Sequence, residues 1–343
     1  MRIAAHITYQ DAGSLAVTAE RMGFGMAVFG EGYRSDAASV IGFAAAKTER
    51  IELLSGVMQI PARPPGLAAL TAATLNALSG GRFRMGLGVS NPDISEGWYG
   101  VPFDKPLART REYVQIVRRA LDGQSVRYDG QHYKLPAGDR DGAPLHITTE
   151  PLRTDIPVYL AAVGDRNLRL AGEIADGWIG AFATPESVVA ARGQIESGAR
   201  EGRRSLADFD LMPSLPTVFT ADVQAGIDQL RPHYAHFLGL GDPRRNLYVR
   251  LAERMGFAAE MDAFAKLMAE GDAKSAAAAV PGELIDRTAL VGPVERAADR
   301  MREYDAAGAT TLTIMLSPAR THYAGRLALL RGAARALELS GTG

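Results

Sequence analysis

The residues of this chain best placed to do chemistry stand at the ends of apolar runs. Gly56 follows IELLS, and Gly86 and Gly88 lie within and at the end of FRMGLG. Glycine at a strand end lets backbone or ligand come close, and in α/β folds ligands bind outside the carboxyl ends of the strands. Two titratable groups stand at the ends of other such runs, His6 in RIAAHIT and Glu31 just after MAVFG. Either could exchange a proton with a substrate, and each has a plain alternative: a packed core histidine for His6, a solvated loop carboxylate for Glu31. Ala161, Ala162, Val163 and Gly164 close a further apolar run just ahead of a helix starting near Asp165. The free N–H groups of a helix amino terminus are a natural phosphate site, and Asp165 could equally be a plain helix cap. His233 and His236 are three apart on a helix with no acidic or further histidine cluster to support them, so no metal is expected. The chain has no cysteine, which excludes disulfides, thiolate metal sites and a cysteine nucleophile, and it has neither a GxSxG motif nor a Walker loop.

The elements that carry these residues repeat one pattern. From Ile51 to Gly88 the chain reads as an apolar strand, a Pro-broken loop, an Ala-rich helix, a Gly-Gly turn and a second apolar strand. A connection of that length joins parallel strands, since a hairpin needs only a few residues. Neither strand alternates cleanly with polar residues, as expected of strands covered on both faces. Strands are expected at Ile3, Met26, Ile51, Phe83, Val158, Trp178, Leu211 and Leu312, nearly all separated by helices. Eight such units predict an α/β fold, a (β/α)8 TIM barrel spanning residues 1–343 as one domain, with its site at the carboxyl face of the strands. Insertions are expected after strands 4 and 7, near 123–155 and 239–281. A doubly wound sheet is the alternative, but GLGVSN fails its glycine fingerprint because Asn91 stands where the third glycine belongs. The loop after Gly88, VSNPDISEGWYGVPFDKP, is too polar and too rich in Gly and Pro for regular structure, and loops of that length are usually functional or disordered.

With 47% hydrophobic and 22% charged residues the chain can bury a large core, and a net charge of −1 gives no electrostatic case for nucleic acid or an anionic membrane. No apolar stretch approaches the ~20 residues of a membrane span, and MRIAAHITYQDAGS has no long apolar run before a cleavage site. A cytoplasmic protein is expected.

Six separated segments, GEGYRSD, LLSGV, LSGGRFRMGLGVSNP, EGWYGVPFDKPLARTREYVQIVRRAL, PVYLAAVGDRNLRLAGEIADGWIG and LVGPVERAADRMREYDAAGAT, together resemble the luciferase-like monooxygenase superfamily. Within it they are most similar to oxidoreductases that use the deazaflavin coenzyme F420. The resemblance implies a hydride transfer between F420 and a small organic substrate in a homodimer, with an FMN-dependent monooxygenase as the alternative. It implies a cis peptide bond at Gly56-Val57, in a bulge that backs the flavin ring, and a ring and ribityl chain lined by Gly88, Val89, Ser90 and Asn91. The cofactor phosphate would lie at Ala161–Asp165. An acidic residue near the cofactor matches Glu31. The family's sugar-phosphate dehydrogenases carry a histidine directly after that acid, where this chain has Gly32, which argues against a dehydrogenase of that kind and leaves His6 as the nearest histidine for proton transfer. Tyr33, Met58, Trp98 and Phe182 would line the substrate side, unless they simply pack.

Overall fold

The computed structural model describes residues 1–32, 35–137, 142–149, 152–316, 318 and 322–343. Eight parallel strands form a closed barrel: β1 (Arg2–Ile7), β2 (Met26–Phe29), β3 (Glu52–Ser55), β4 (Phe83–Gly88), β5 (Val158–Ala161), β6 (Gly177–Ala181), β7 (Asp210–Phe219) and β8 (Thr311–Met315). Closure comes from β1 pairing with β8, from Arg2 with Thr311 through His6 with Met315. The expected eight-strand barrel is the observed one.

Helices cover the strands outside: α1 (Ala12–Arg21), α2 (Ala37–Ala45), α3 (Pro65–Leu78), α4 (Pro106–Leu121), α5 (Asp165–Ile174), α6 (Pro185–Glu201) and α7 (Val223–Leu238). After β4 the insertion carries a two-stranded antiparallel pair, Tyr128–Asp129 with Lys134–Leu135. After β7 come the helices α8 (Leu247–Arg254), α9 (Ala258–Ala269), α10 (Ala273–Ala279) and α11 (Gly282–Thr288). A short strand that the sequence reading lacked, Leu290–Gly292, then pairs with the end of β7. The chain finishes with α12 (Val294–Ala306), β8 and α13 (Tyr323–Ser340).

Side chains of a strand alternate between its two faces, and this decides what fills the barrel. Ile3, Ala5, Ile7, Leu53, Met85, Leu87, Leu312 and Ile314 join the main core under the helices. The residues between them turn inward, where Ala4, Met26, Val28, Leu54, Tyr159 and Met212 form a separate apolar cluster. Below it the amino-terminal end is closed by ions: Arg2 pairs with Glu52 at 2.8 Å and with Asp210 at 2.7 Å, and Tyr159 donates to Asp210 at 3.0 Å. Asp210, the buried member of the group, is tolerable there because it is paired, while Arg2 reaches solvent at the barrel end.

Toward the carboxyl end the inner positions become small. Gly30, Gly56, Gly88, Ala161 and Ala181 follow the last apolar layer, while His6, Ile179, Ser214, Thr313 and Met315 add larger side chains. Barrel interiors are usually filled by layers of branched side chains. Here the last positions are small, and Gly30, Gly56, Ala161, Ala181, Ser214 and Met315 are half-buried rather than covered, so this end of the barrel is an open hollow. Part of the glycine content is needed by the fold itself: a Cβ on Gly86 would stand 1.9 Å from the Ser55 carbonyl oxygen, and one on Gly56 2.2 Å from Val28 Cγ1.

Candidate active site

The hollow is walled on one side by the bulge after β3. Its Gly56-Val57 peptide bond is cis, as the resemblance implies. Val57 leans toward β4, where a Cβ on Gly88 would come within 2.5 Å of Val57 Cγ2. Gly88 thus lets the bulge and the fourth strand end meet.

A ladder of hydrogen bonds ties the ends of β2, β3 and β4 together. Arg63 grips Glu31 with both Nη atoms, each at 2.9 Å, and the Gln59 and Ala37 backbone amides donate to the same carboxylate at 3.0 and 3.2 Å. Gln59 Nε2 donates to the Glu31 carbonyl at 3.1 Å, and Ser90 Oγ donates to Gln59 Oε1 at 2.6 Å. Ser90 holds a left-handed φ of 67°, which this bond helps to fix. Glu31 is therefore neither solvated nor free: its side chain is 3% exposed and both oxygens are engaged.

His6 lies on the inner face at the end of β1, with Nε2 3.2 Å from where a Cβ on Gly30 would stand. Burial pushes its imidazole down to about 4, so the ring is neutral at pH 7. Its Nδ1 is buried and makes no well-formed hydrogen bond to the described residues, although a contact with the backbone of His6 itself offsets part of the effect of burial.

At the end of β5, the cap position of α5 falls on Gly164, which has extended backbone, and no side chain caps this end. Asp165 is the first helical residue rather than the cap. The Gly164 carbonyl takes the Asn167 and Leu168 amides, which leaves the Asp165 and Arg166 N–H groups of the first turn for an anion. Asn167 Nδ2 and Trp178 Nε1 hold the Ala161 and Ala162 carbonyls at 3.3 and 2.8 Å and so fix this strand end.

The remaining expected residues are placed less uniformly. Tyr33 lies outside the described residues. Met58 is 0% exposed in the main core, so it packs and does not line the hollow. Phe182 is buried too, stacked between Tyr234 at 4.7 Å and Tyr248 at 5.0 Å, which ties the end of β6 to the second insertion. Asn91 Oδ1 accepts from the Ile94 amide at 3.0 Å and caps a wide helical turn, Asp93–Trp98. The loop expected to lack regular structure therefore contains that turn, because Asn91 and Pro92 can start one. Val89 is half-buried beside Ile60, Val101 and Phe103. Trp98 stands exposed at the end of the turn. Its neighbour Tyr99 folds back toward the ladder, its phenol pushed up by burial and by the Glu31 carboxylate. His233 and His236 pack edge-on against Phe237, and no group of three metal-ligating side chains occurs among the described residues. No helix among them is long and apolar enough to cross a membrane.

Sequence reasoning missed Arg63, Gln59 and Ser214. Arg63 had a signal, a lone cation in the Pro-rich loop QIPARPPG; Ser214 could have been found by counting alternate residues from Met212.

With this geometry in view, residues 1–311 match the luciferase-like monooxygenase family. The chain belongs to that family. Among luciferase-like relatives, it is 38% identical over 313 residues to a Mycobacterium tuberculosis protein whose name proposes a coenzyme F420-dependent oxidoreductase, covering 89% of this chain and 90% of that one. It is 29% identical to the 5,10-methylenetetrahydromethanopterin reductase of Archaeoglobus fulgidus, covering 79% of each. The solved F420-dependent tetrahydromethanopterin reductase of Methanopyrus kandleri superposes with a TM-score of 0.82 at 25% identity, covering 97% of both chains.

Proposed function

We propose that this luciferase-like chain is a coenzyme F420-dependent oxidoreductase acting on a small organic substrate. The observation that carries the reading is the hollow at the carboxyl end of the barrel, bounded by Gly30, Gly56, Gly88, Ala161 and Ala181 and opening beside the uncapped amino terminus of α5. The residues fit the cofactor: small inner positions admit a flat ring, and the α5 amides suit its phosphate. When bound, the deazaflavin supplies a two-electron hydride acceptor or donor, and the protein supplies position and electrostatics.

Val57 backs the ring from the bulge. The Arg63–Glu31–Gln59–Ser90 ladder holds three strand ends in register around it, so Glu31 acts as a positioning residue. His6, neutral at pH 7, takes the proton released at the substrate on its Nε2. Val89, Asn91, Val163 and Asp165 contribute backbone to the cofactor seat, Trp98 bounds the substrate side, and Phe182 anchors the end of β6 from the core. The test is turnover: oxidised F420 bleaching with members of an alcohol and amine panel, or reduced F420 regaining colour with imines and activated alkenes. No reaction with either form across such a panel would count against the reading.

We also propose a homodimer. Neither α2 nor α3 contains a charged residue, yet Phe43, Leu67, Leu70 and Leu78 are exposed on them. A helix apolar on all sides normally has both faces covered, and a second copy would cover this one.

A further inference from the structure

Three protic side chains converge in the barrel mouth at the seam where the barrel closes. Ser214 on β7, Thr313 on β8 and His6 on β1 come from three consecutive strands. All three point inward, because Ile7, Leu215, Leu312 and Ile314 on the same strands turn out to the helices. Thr313 pairs in register with Ser214 on one side and with Ala4 on the other. His6 is two residues beyond Ala4, so it stands one inner position higher on the neighbouring strand. Paired residues lie about 4.8 Å apart across a sheet, and successive inward residues about 6.6 Å apart along a strand. The three polar ends are thus within reach of a single small molecule.

Their hydrogen-bonding state points the same way. Thr313 is 0% exposed, and its Oγ1, like His6 Nδ1, is buried without a partner among the described residues. The rest of the lining, Gly30, Gly56, Ala161, Ala181 and Met315, has no side-chain donor to offer either. A buried polar atom left unpaired costs about 1–3 kcal/mol. Two such atoms on neighbouring strands, with the Ser214 hydroxyl on the third, mark a shared seat in an otherwise apolar mouth.

We propose that His6 Nδ1, Thr313 Oγ1 and Ser214 Oγ seat one ordered water, which accepts from Nδ1–H and donates onward to a hydroxyl. The water holds the imidazole proton on Nδ1, so the Nε2 lone pair faces the hollow. Thr313 and Ser214 are positioning residues that act through His6. This rests on the reading of His6 as the proton acceptor, but the seat exists without cofactor and is tested without it.

The test uses cofactor-free protein with 15N-labelled histidine, the His6 signals being assigned by their loss in His6→Gln. The wild type is expected to show the Nδ1–H tautomer. Thr313→Val, which keeps the side-chain shape, should shift His6 toward Nε2–H while the melting temperature confirms a folded barrel. Ser214→Ala, at a half-buried position that tolerates truncation, should shift it in the same direction. A high-resolution crystal structure should show one water bonded to the three atoms in the wild type and missing in Thr313→Val. An Nε2–H tautomer in the wild type, or a tautomer unchanged in both variants, would overturn the proposal. F420 binding, measured separately, would be unaffected by that outcome.

Discussion

Replacing Glu31 separates two roles for that carboxylate. If it is the anchor of the ladder, Glu31→Ala leaves the Arg63 guanidinium with Asp36 alone, at 3.2 Å, and strips the Gln59 and Ala37 amides of their acceptor. Arg63 is 11% exposed, so water replaces little of the loss. Breaking a buried pair on one side costs about 3–5 kcal/mol. Glu31→Gln keeps the shape but turns an NH2 toward a donor, at a cost of about 1.5–3 kcal/mol. Urea unfolding at pH 7 measures both, with an unchanged denaturant slope showing that the folded state is still compact. A second arm uses Arg63→Ala: in a double-mutant cycle the two losses should be strongly non-additive. A Glu31→Ala protein within about 1 kcal/mol of wild type, but inactive, would refute the anchoring role and return Glu31 to proton transfer.

Other expectations follow from single positions. Nothing lies within 4 Å of a Cβ built on Gly164, and its φ is −93°, so Gly164→Val should fold normally yet bind F420 about tenfold or more weakly; unchanged binding by fluorescence titration would remove the phosphate assignment. Burial lowers His6 from 6.5 to about 4, so the unfolded chain binds that proton first. Its contribution to stability is full above about pH 6.5 and is lost as pH falls toward 4. His6→Gln should accordingly lose less stability than wild type between pH 7 and 5, and equal losses in urea midpoint would exclude His6 as the source. Leu70→Arg on α3 should turn a dimer into a monomer by light scattering at micromolar concentration, whereas a wild-type monomer would dispose of the dimer.

The barrel was legible because it rests on local signals: long connections force parallel pairing, and two-sided burial makes the strands uniformly apolar. The glycine strand ends were legible for the same reason, although Gly86 proves to serve Ser55 rather than a ligand. Pairings across the chain were not. Glu31 and Arg63 are 32 residues apart and meet only after β2 and β3 lie side by side, and Asp210 meets Arg2 only after the barrel closes. Asn91 lies in the segment the resemblance assigns to the cofactor lining, and its side chain caps a turn that composition argued against. Met58 illustrates the converse: one residue beyond the bulge, it is carried by alternation into the core.

If the hollow holds a deazaflavin, a titration of the purified protein with F420 and, separately, with FMN, followed by absorbance and fluorescence, measures it most directly. Saturable binding of one F420 per chain with no comparable response to FMN is the predicted result. Stoichiometric binding of FMN with no response to F420 would contradict the account.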